Sequence, residues 1–175
     1  MSQTRPDNRV GFSKFAGDLT RVQDLLTIDT VRTALKLSVG GQYTDNILPP
    51  SEKYFLGGTR FGRGFFNGEV TGDRAIGSTV ELQANTAFTD LPFVDADYRL
   101  PAQFYSFWDF GRGYNLAPAE PNHTIQSVGI GVRSDLTPWL FAELEGVHRL
   151  TTHPEGNTGG TEAAYAFFAR VTMHY

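Results

Sequence analysis

The chain of 175 residues is 40% hydrophobic and 13% aromatic, a composition that excludes an intrinsically disordered protein. Its 15 basic and 19 acidic residues give a net charge of -4 without any basic run, so nucleic-acid binding is not indicated. The absence of cysteine excludes a disulfide framework and a thiolate metal site.

No apolar segment has the length that a transmembrane helix requires, and the residues after Met1 contain no apolar signal core. If the chain is exported, we expect its signal peptide to lie upstream, which predicts that the sequence is a fragment of a longer protein. The informative signal is instead the alternation of side chains, because successive residues of a strand face opposite sides of a sheet.

The first two predicted strands differ in how regularly they alternate. Residues 10–26 alternate poorly but are still interpreted as a strand. Residues 31–44 alternate clearly, with Val31, Leu35, Leu37 and Val39 on one face and Arg32, Lys36, Ser38 and Gln42 on the other. This split between an apolar and a polar face is typical of a membrane β-barrel strand.

The longest connection, residues 45–73, is rich in glycine and aromatic residues. Its larger apolar side chains need a surface to pack against, which predicts a docked loop rather than a solvated linker. They are Phe55, Leu56, Phe61, Phe65 and Phe66. An excursion of about 14 residues in each direction spans up to ~45 Å, more than the ~30 Å of bilayer hydrocarbon, so the loop can fold into a barrel lumen.

Five further segments are predicted as strands: residues 74–86, 100–111, 124–134, 139–150 and 165–175. Alternation places the charged side chains Glu81, Asp109, Glu143, Glu145 and Arg170 on the polar face. The predicted strands are long enough to supply the ~9–11 residues that cross a bilayer at a tilt, whereas strands of soluble sandwiches average about 5–6 residues. We therefore predict an all-β fold, an antiparallel transmembrane β-barrel of the outer membrane, with residues 45–73 folded inward as a long loop.

The polar residues have plain interpretations. Glu81, Glu143, Glu145 and Arg170 are interpreted as a hydrated lumen lining rather than substrate contacts. The four histidines lack metal-ligand spacing, and no catalytic motif is recognisable, so we expect no metal, no cofactor and no enzymatic activity.

Two segments resemble a known family. The run Phe61-Gly62-Arg63-Gly64-Phe65 resembles the Val-Arg-Gly-Tyr/Phe signature in the long inward loop of two-partner secretion transporters of the hemolysin secretion/activation type, and Gly72-Asp73 follow in the same order. The run Phe107-Trp108-Asp109-Phe110-Gly111 is similar to their Phe-x-Asp-x-Gly motif on a lumen-facing strand. In that family the loop arginine pairs with this aspartate, which implies an ion pair between Arg63 and Asp109. Gly62 stands where the family has an aliphatic residue, which predicts a looser loop tip.

The resemblance implies an outer-membrane pore that translocates a large partner protein from the periplasm to the cell surface. Residues 1–175 would then be the C-terminal barrel portion, about seven strands of sixteen, with further strands and periplasmic polypeptide-transport domains upstream. Implied partners are the secreted client, outer-membrane lipid and, during biogenesis, the barrel-assembly machinery, for which the terminal Tyr175 would be the assembly signal. The Arg63–Asp109 pair is equally compatible with a structural clamp and with a mechanistic role.

Three alternatives are open on the sequence. A barrel-assembly factor, which inserts other outer-membrane proteins, shares both motifs and differs in its upstream domains. An outer-membrane hydrolase with an acid and a histidine in the lumen would be an enzyme. A soluble β-sandwich binding module would alternate in the same way but would not require detergent.

Overall fold

The computed structural model describes residues 11–89, 99–118, 120–154 and 162–174. The strands in these ranges are Lys14–Ile28 (β1), Val31–Thr44 (β2), Tyr54–Leu56 (β3), Val70–Gly72 (β4), Arg74–Phe88 (β5), Leu100–Tyr114 (β6), His123–Thr137 (β7), Leu140–Arg149 (β8) and Tyr165–Met173 (β9). The seven long strands form one antiparallel sheet in the order β1-β2-β5-β6-β7-β8-β9, while β3 pairs with β4. The predicted all-β antiparallel fold is confirmed, and closure into a membrane-embedded barrel stays a prediction.

Helical structure within the described ranges is limited to one 3-10 turn, Pro50–Glu52. Among the same residues, no helix is long and apolar enough to cross a bilayer.

Each of the seven predicted strand segments forms a long strand, with ends that differ by a few residues. The segment predicted at residues 124–134 extends over His123–Thr137, and the segment at residues 10–26 is Lys14–Ile28 in the structure. The poor alternation of β1 has a structural reason: nearly all of its side chains are exposed on both faces. A register shift between Asp24 and Thr27 also interrupts its pairing with β2.

The two faces of the sheet have opposite chemistry. We call the face covered by residues 45–73 the inner face and the opposite one the outer face. In β5 the odd positions from Ala75 to Gln83 are buried on the inner face, whereas Ile76, Val80 and Leu82 are exposed on the outer face. Neighbouring strands extend this exposed apolar surface through Leu37, Val39, Phe104, Trp108, Ile130, Leu144, Phe167 and Val171. The predicted division of polar and apolar faces therefore agrees with the structure.

The loop of residues 45–73 packs on the inner face around a small apolar core. Leu56, Phe61, Phe65 and Val70 of the loop are buried in one cluster with two residues of the sheet, Ala75 of β5 and Ile125 of β7. The expectation of a docked loop agrees with this packing. It was wrong for Phe55 and Phe66, which are 53% and 72% exposed. Phe55 faces away from the sheet because its neighbours in β3, Tyr54 and Leu56, use the opposite face for packing.

Two glycines of β7 make room for aromatic side chains of β6. Gly131 pairs with Tyr105 and Gly129 with Phe107 in the β6–β7 register. A Cβ atom at Gly129 would lie 2.5 Å from the Phe107 ring, and one at Gly131 would overlap the Tyr105 ring. Both rings therefore lie flat over backbone and stack on each other, with centroids 6.3 Å apart. They form an aromatic floor on the inner face, next to the loop.

Candidate functional site at the loop tip

The loop tip, residues 57–65, turns tightly against the inner face. Gly62 and Gly64 adopt φ values of +97° and +94°, which residues other than glycine rarely adopt. A Cβ atom at Gly64 would lie 2.7 Å from Val147 Cγ1, and one at Gly62 would overlap Ile125 Cδ1. The expectation that Gly62 loosens the tip was wrong, because the missing side chain is what lets the backbone reach Ile125.

Arg63 and Asp109, the pair implied by the resemblance, lie together. The backbone amide and Nε of Arg63 donate to Asp109 Oδ2 at 2.9 Å and 3.0 Å, and Nη2 donates to Oδ1 at 3.0 Å. The Gly62 amide adds a longer hydrogen bond of 3.3 Å to Oδ2. Asp109 is fully buried and Arg63 nearly so, so the carboxylate is satisfied entirely by the loop tip. Such a two-pronged contact fixes orientation as well as distance.

A second buried carboxylate, Glu81, completes the arginine site. Arg63 Nη1 donates to Glu81 Oε2 at 2.7 Å, and the other carboxylate oxygen accepts hydrogen bonds from Arg133 and Gln83. Glu81 is 1% exposed, so its interpretation as hydrated lumen lining was wrong. Its partner in the β5–β6 register is Phe107, two residues from Asp109, which brings the two carboxylates to either side of one guanidinium.

The aromatic floor supports the same guanidinium. The Arg63 guanidinium carbon lies 3.4 Å from the Phe107 ring centroid and 5.9 Å from that of Tyr105. Burial by itself lowers the pKa of Arg63, but the hydrogen bonds and charges of Asp109 and Glu81 outweigh it, so the pKa lies above its ordinary value. The tip therefore carries a permanent cation that is enclosed by two acids and one ring.

The remaining predicted lining residues form a charged network beside this site. Arg170 Nη2 lies 2.8 Å from Glu143 Oε2, and the Tyr105 hydroxyl lies 2.8 Å from Glu143 and 2.9 Å from Glu145. Glu145 is also 3.8 Å from Arg63 Nη1, which links the network to the loop tip. Glu143 is nearly buried, whereas Arg170 is exposed.

Gly72 and Asp73 lie apart from this cluster, at the base of the loop. Asp73 is fully buried, and its two carboxylate oxygens accept the backbone amides of Leu48 and Leu116 at 2.9 Å and 2.8 Å. It thus joins the start of the loop to the connection after β6. A Cβ atom at Gly72 would lie 2.7 Å from the Tyr114 backbone nitrogen, so glycine is required by a close approach of two backbones.

The other motif glycine, Gly111, leaves room for the apolar core under the loop. A Cβ atom there would lie 3.1 Å from Ile125 and 3.3 Å from Leu56, two members of the apolar core under the loop. Tyr175, the predicted assembly signal, lies outside the described residues.

The sequence interpretation did not assign Arg149 to the site. Arg149 is the last residue of β8, and the structure brings it onto the loop tip, where its Nε donates to the Gly64 carbonyl at 2.6 Å. Within the described residues, no group of three or more histidine or acidic side chains is arranged to bind a metal. The site is therefore chemically a clamp, in which buried charges hold one segment of backbone.

The comparisons with known proteins give one family. The model of the Omp85 superfamily domain matches residues 1–140, which include the loop and both motifs of the arginine site. No curated protein and no solved structure matches the chain.

Proposed function

We propose that this chain, which belongs to the Omp85 superfamily, is the C-terminal barrel portion of a two-partner secretion pore that exports a large client protein. Members of the superfamily are bacterial outer-membrane proteins that translocate or insert other proteins. The finer assignment to secretion is our proposal. In this role residues 45–73 occupy the lumen, and the chain performs no catalysis.

The observation that carries the proposal is the burial of Arg63 between Asp109 and Glu81. Three hydrogen bonds to Asp109 and one to Glu81 hold the tip of a long loop on the inner face of the sheet. Undocking the tip would leave Asp109 without its cation and Glu81 with Arg133 alone. Removing one partner of a buried pair costs about 3–5 kcal/mol. We propose that this clamp seals the pore at rest and positions the loop during export.

The two faces of the sheet support a membrane location. The outer face exposes leucine, valine and aromatic side chains over all the central strands. A large contiguous apolar surface marks a site of contact with a membrane or another protein. The strands β5, β6 and β7 are each 15 residues long, enough to cross hydrocarbon at a tilt, which takes ~9–11 residues. An aqueous lumen on the inner face would accommodate the charged network of Glu143, Glu145 and Arg170.

The test is the substitution Arg63→Ala in the full-length protein, in cells that also make the client. We expect secretion of the client to fall at least about tenfold, since the substitution leaves Asp109 without a cation and Glu81 with Arg133 alone. The matched control is Arg112→Ala, because Arg112 is exposed on β6 and stacks on Tyr114 rather than on the loop. Arg63→Lys keeps the charge without the two-pronged geometry and should give a smaller loss.

Barrel abundance is measured in the same cells, so that loss of the protein is not taken for loss of transport. Unchanged secretion by Arg63→Ala at normal barrel abundance would contradict the proposal. If client secretion stays normal while other outer-membrane proteins fail to assemble, the chain belongs to a barrel-assembly factor instead.

A further inference from the structure

Arg149 is a second buried arginine at the loop tip, on β8 rather than on β6. It is the last residue of β8 and is 8% exposed. Its Nε donates to the Gly64 carbonyl at 2.6 Å, and its guanidinium carbon lies 5.8 Å from the Phe65 ring centroid. Val147, two residues earlier on the same face, leaves no space for a Cβ atom at Gly64. The end of β8 therefore contacts the tip at Gly64, the residue directly after Arg63.

The same guanidinium also binds a second segment, the residues that lead into β9. Arg149 Nη1 donates to the Ala163 carbonyl and lies 3.7 Å from Glu162 Oε2. The Arg149 backbone amide donates to the Ala164 carbonyl at 2.8 Å, and the Glu162 amide donates to the Thr152 carbonyl at 2.9 Å. Residues 162–164 are thus attached to β8 through the arginine that holds the tip.

We propose that Arg149 is a positioning residue that couples the loop tip to the segment preceding β9. Arg63 ties the tip to β5 and β6, which stay paired along 15 registered positions, so that side of the tip has a rigid support. Arg149 ties it to residues 162–164, which lie outside any strand. A displacement of that segment removes one hydrogen-bond partner of Arg149 and thereby weakens its hold on Gly64.

The chemistry of arginine suits this coupling. A guanidinium has five donors in a rigid plane, so it can serve two carbonyl groups in different directions at once. A lysine ammonium at the same site reaches one of them but lacks the fork that spans both. Coupling of this kind is reciprocal: what loosens the segment loosens the tip, and what fixes the tip protects the segment. The inference rests on the proposed function, since its consequence is that a client touching this segment shifts the loop in the pore.

The test is amide hydrogen exchange, followed by mass spectrometry, on the full-length protein in lipid nanodiscs. In Arg149→Lys we expect faster exchange at both ends, at the amides of Gly58 and Phe65 in the tip and of Glu162 in the segment. The increase should be on the order of tenfold, because the lysine keeps at most one of the two charge-assisted hydrogen bonds and the coupling transmits that loss to both ends. Arg112→Lys is the matched control and should leave the exchange unchanged, since Arg112 contacts neither segment.

A second variant perturbs only the segment that precedes β9, residues 162–164. Glu162→Lys puts a positive charge next to Arg149, and we expect about threefold faster exchange at Gly58 and Phe65, since displacing one end shifts the local opening equilibrium of the other. Faster exchange at only one end in Arg149→Lys would overturn the coupling. So would an unchanged tip in Glu162→Lys. Hydrogen exchange does not depend on export. Unchanged secretion in Arg63→Ala would therefore overturn the proposed function but would leave the coupling through Arg149 standing.

Discussion

The inner and outer faces of the sheet reverse the usual distribution of polar and apolar side chains. On the inner face, the charged residues Glu81 and Asp109 are almost completely buried. On the outer face, Leu144 is 59% exposed and Phe167 is 84% exposed. In a water-soluble domain such charged groups are almost never fully buried, and apolar ones are the first to be. The strand β8 carries both patterns in successive residues, since Glu143 points inward and Leu144 outward.

The difference teaches that the two faces depend on different interactions. The inner face is stabilised by pairing, because the buried carboxylates Asp109 and Glu81 are stable only while their cations are in place. The outer face has no comparable partners among the described residues and is stable only if its surroundings are apolar, which we propose to be a bilayer. Substitutions on the two faces should therefore fail for different reasons.

The largest effect is expected from removing a charge on the inner face. Asp109→Asn keeps the shape of the side chain but leaves Arg63 with Glu81 and the more distant Glu145. We therefore expect the free energy of unfolding to fall by about 3–5 kcal/mol. Equilibrium unfolding of the full-length protein from lipid vesicles by guanidinium chloride measures this.

The matched control for this substitution is Asp135→Asn, because Asp135 is exposed near the end of β7. We expect its stability to stay within about 0.5 kcal/mol of the unsubstituted protein. Equal losses at both positions would show that the inner face does not depend on pairing.

The same residues show which features of the inner face can be predicted from the sequence. Alternation was enough to place Asp109 and Glu143 on the inner face, because a strand's period of two needs no tertiary information. It could not separate a buried acid from a hydrated one, since burial depends on where the loop docks. Glu81 was therefore misjudged, although its position on the polar face was correct.

The motif resemblance supplied one partner of Arg63 and not the others. The contact with Glu81 depends on the β5–β6 register, which pairs residues far apart in the chain. The contact of Arg149 with Gly64 joins residues 85 positions apart and belongs to no motif. The sequence shows an arginine on the polar face at the end of an alternating strand. It does not show what this arginine binds, because the partner is a backbone carbonyl and every residue has one.

An intermediate effect is expected from placing a charge on the outer face. Leu144→Lys should lower the free energy of unfolding from lipid vesicles by about 2–4 kcal/mol if the position lies near the bilayer midplane. An exposed leucine of a water-soluble protein would tolerate the same change within about 0.5 kcal/mol. The control Thr59→Lys adds the same charge at an exposed position of the loop tip. A neutral result for Leu144→Lys would mean that the outer face does not contact lipid.

The smallest effect is expected at Phe66, an exposed loop residue that follows the buried Phe65. Phe65 is 5% exposed and packs in the apolar core with Leu56, whereas Phe66 is 72% exposed. We expect Phe66→Ser to change the free energy of unfolding by no more than about 0.5 kcal/mol, because it removes little buried surface. Phe65→Ala should cost about 3–5 kcal/mol, as truncation of a buried aromatic side chain usually does. If both variants lose the same stability in the vesicle unfolding assay, Phe66 is covered in the full-length protein, and the loop packs against more than the inner face.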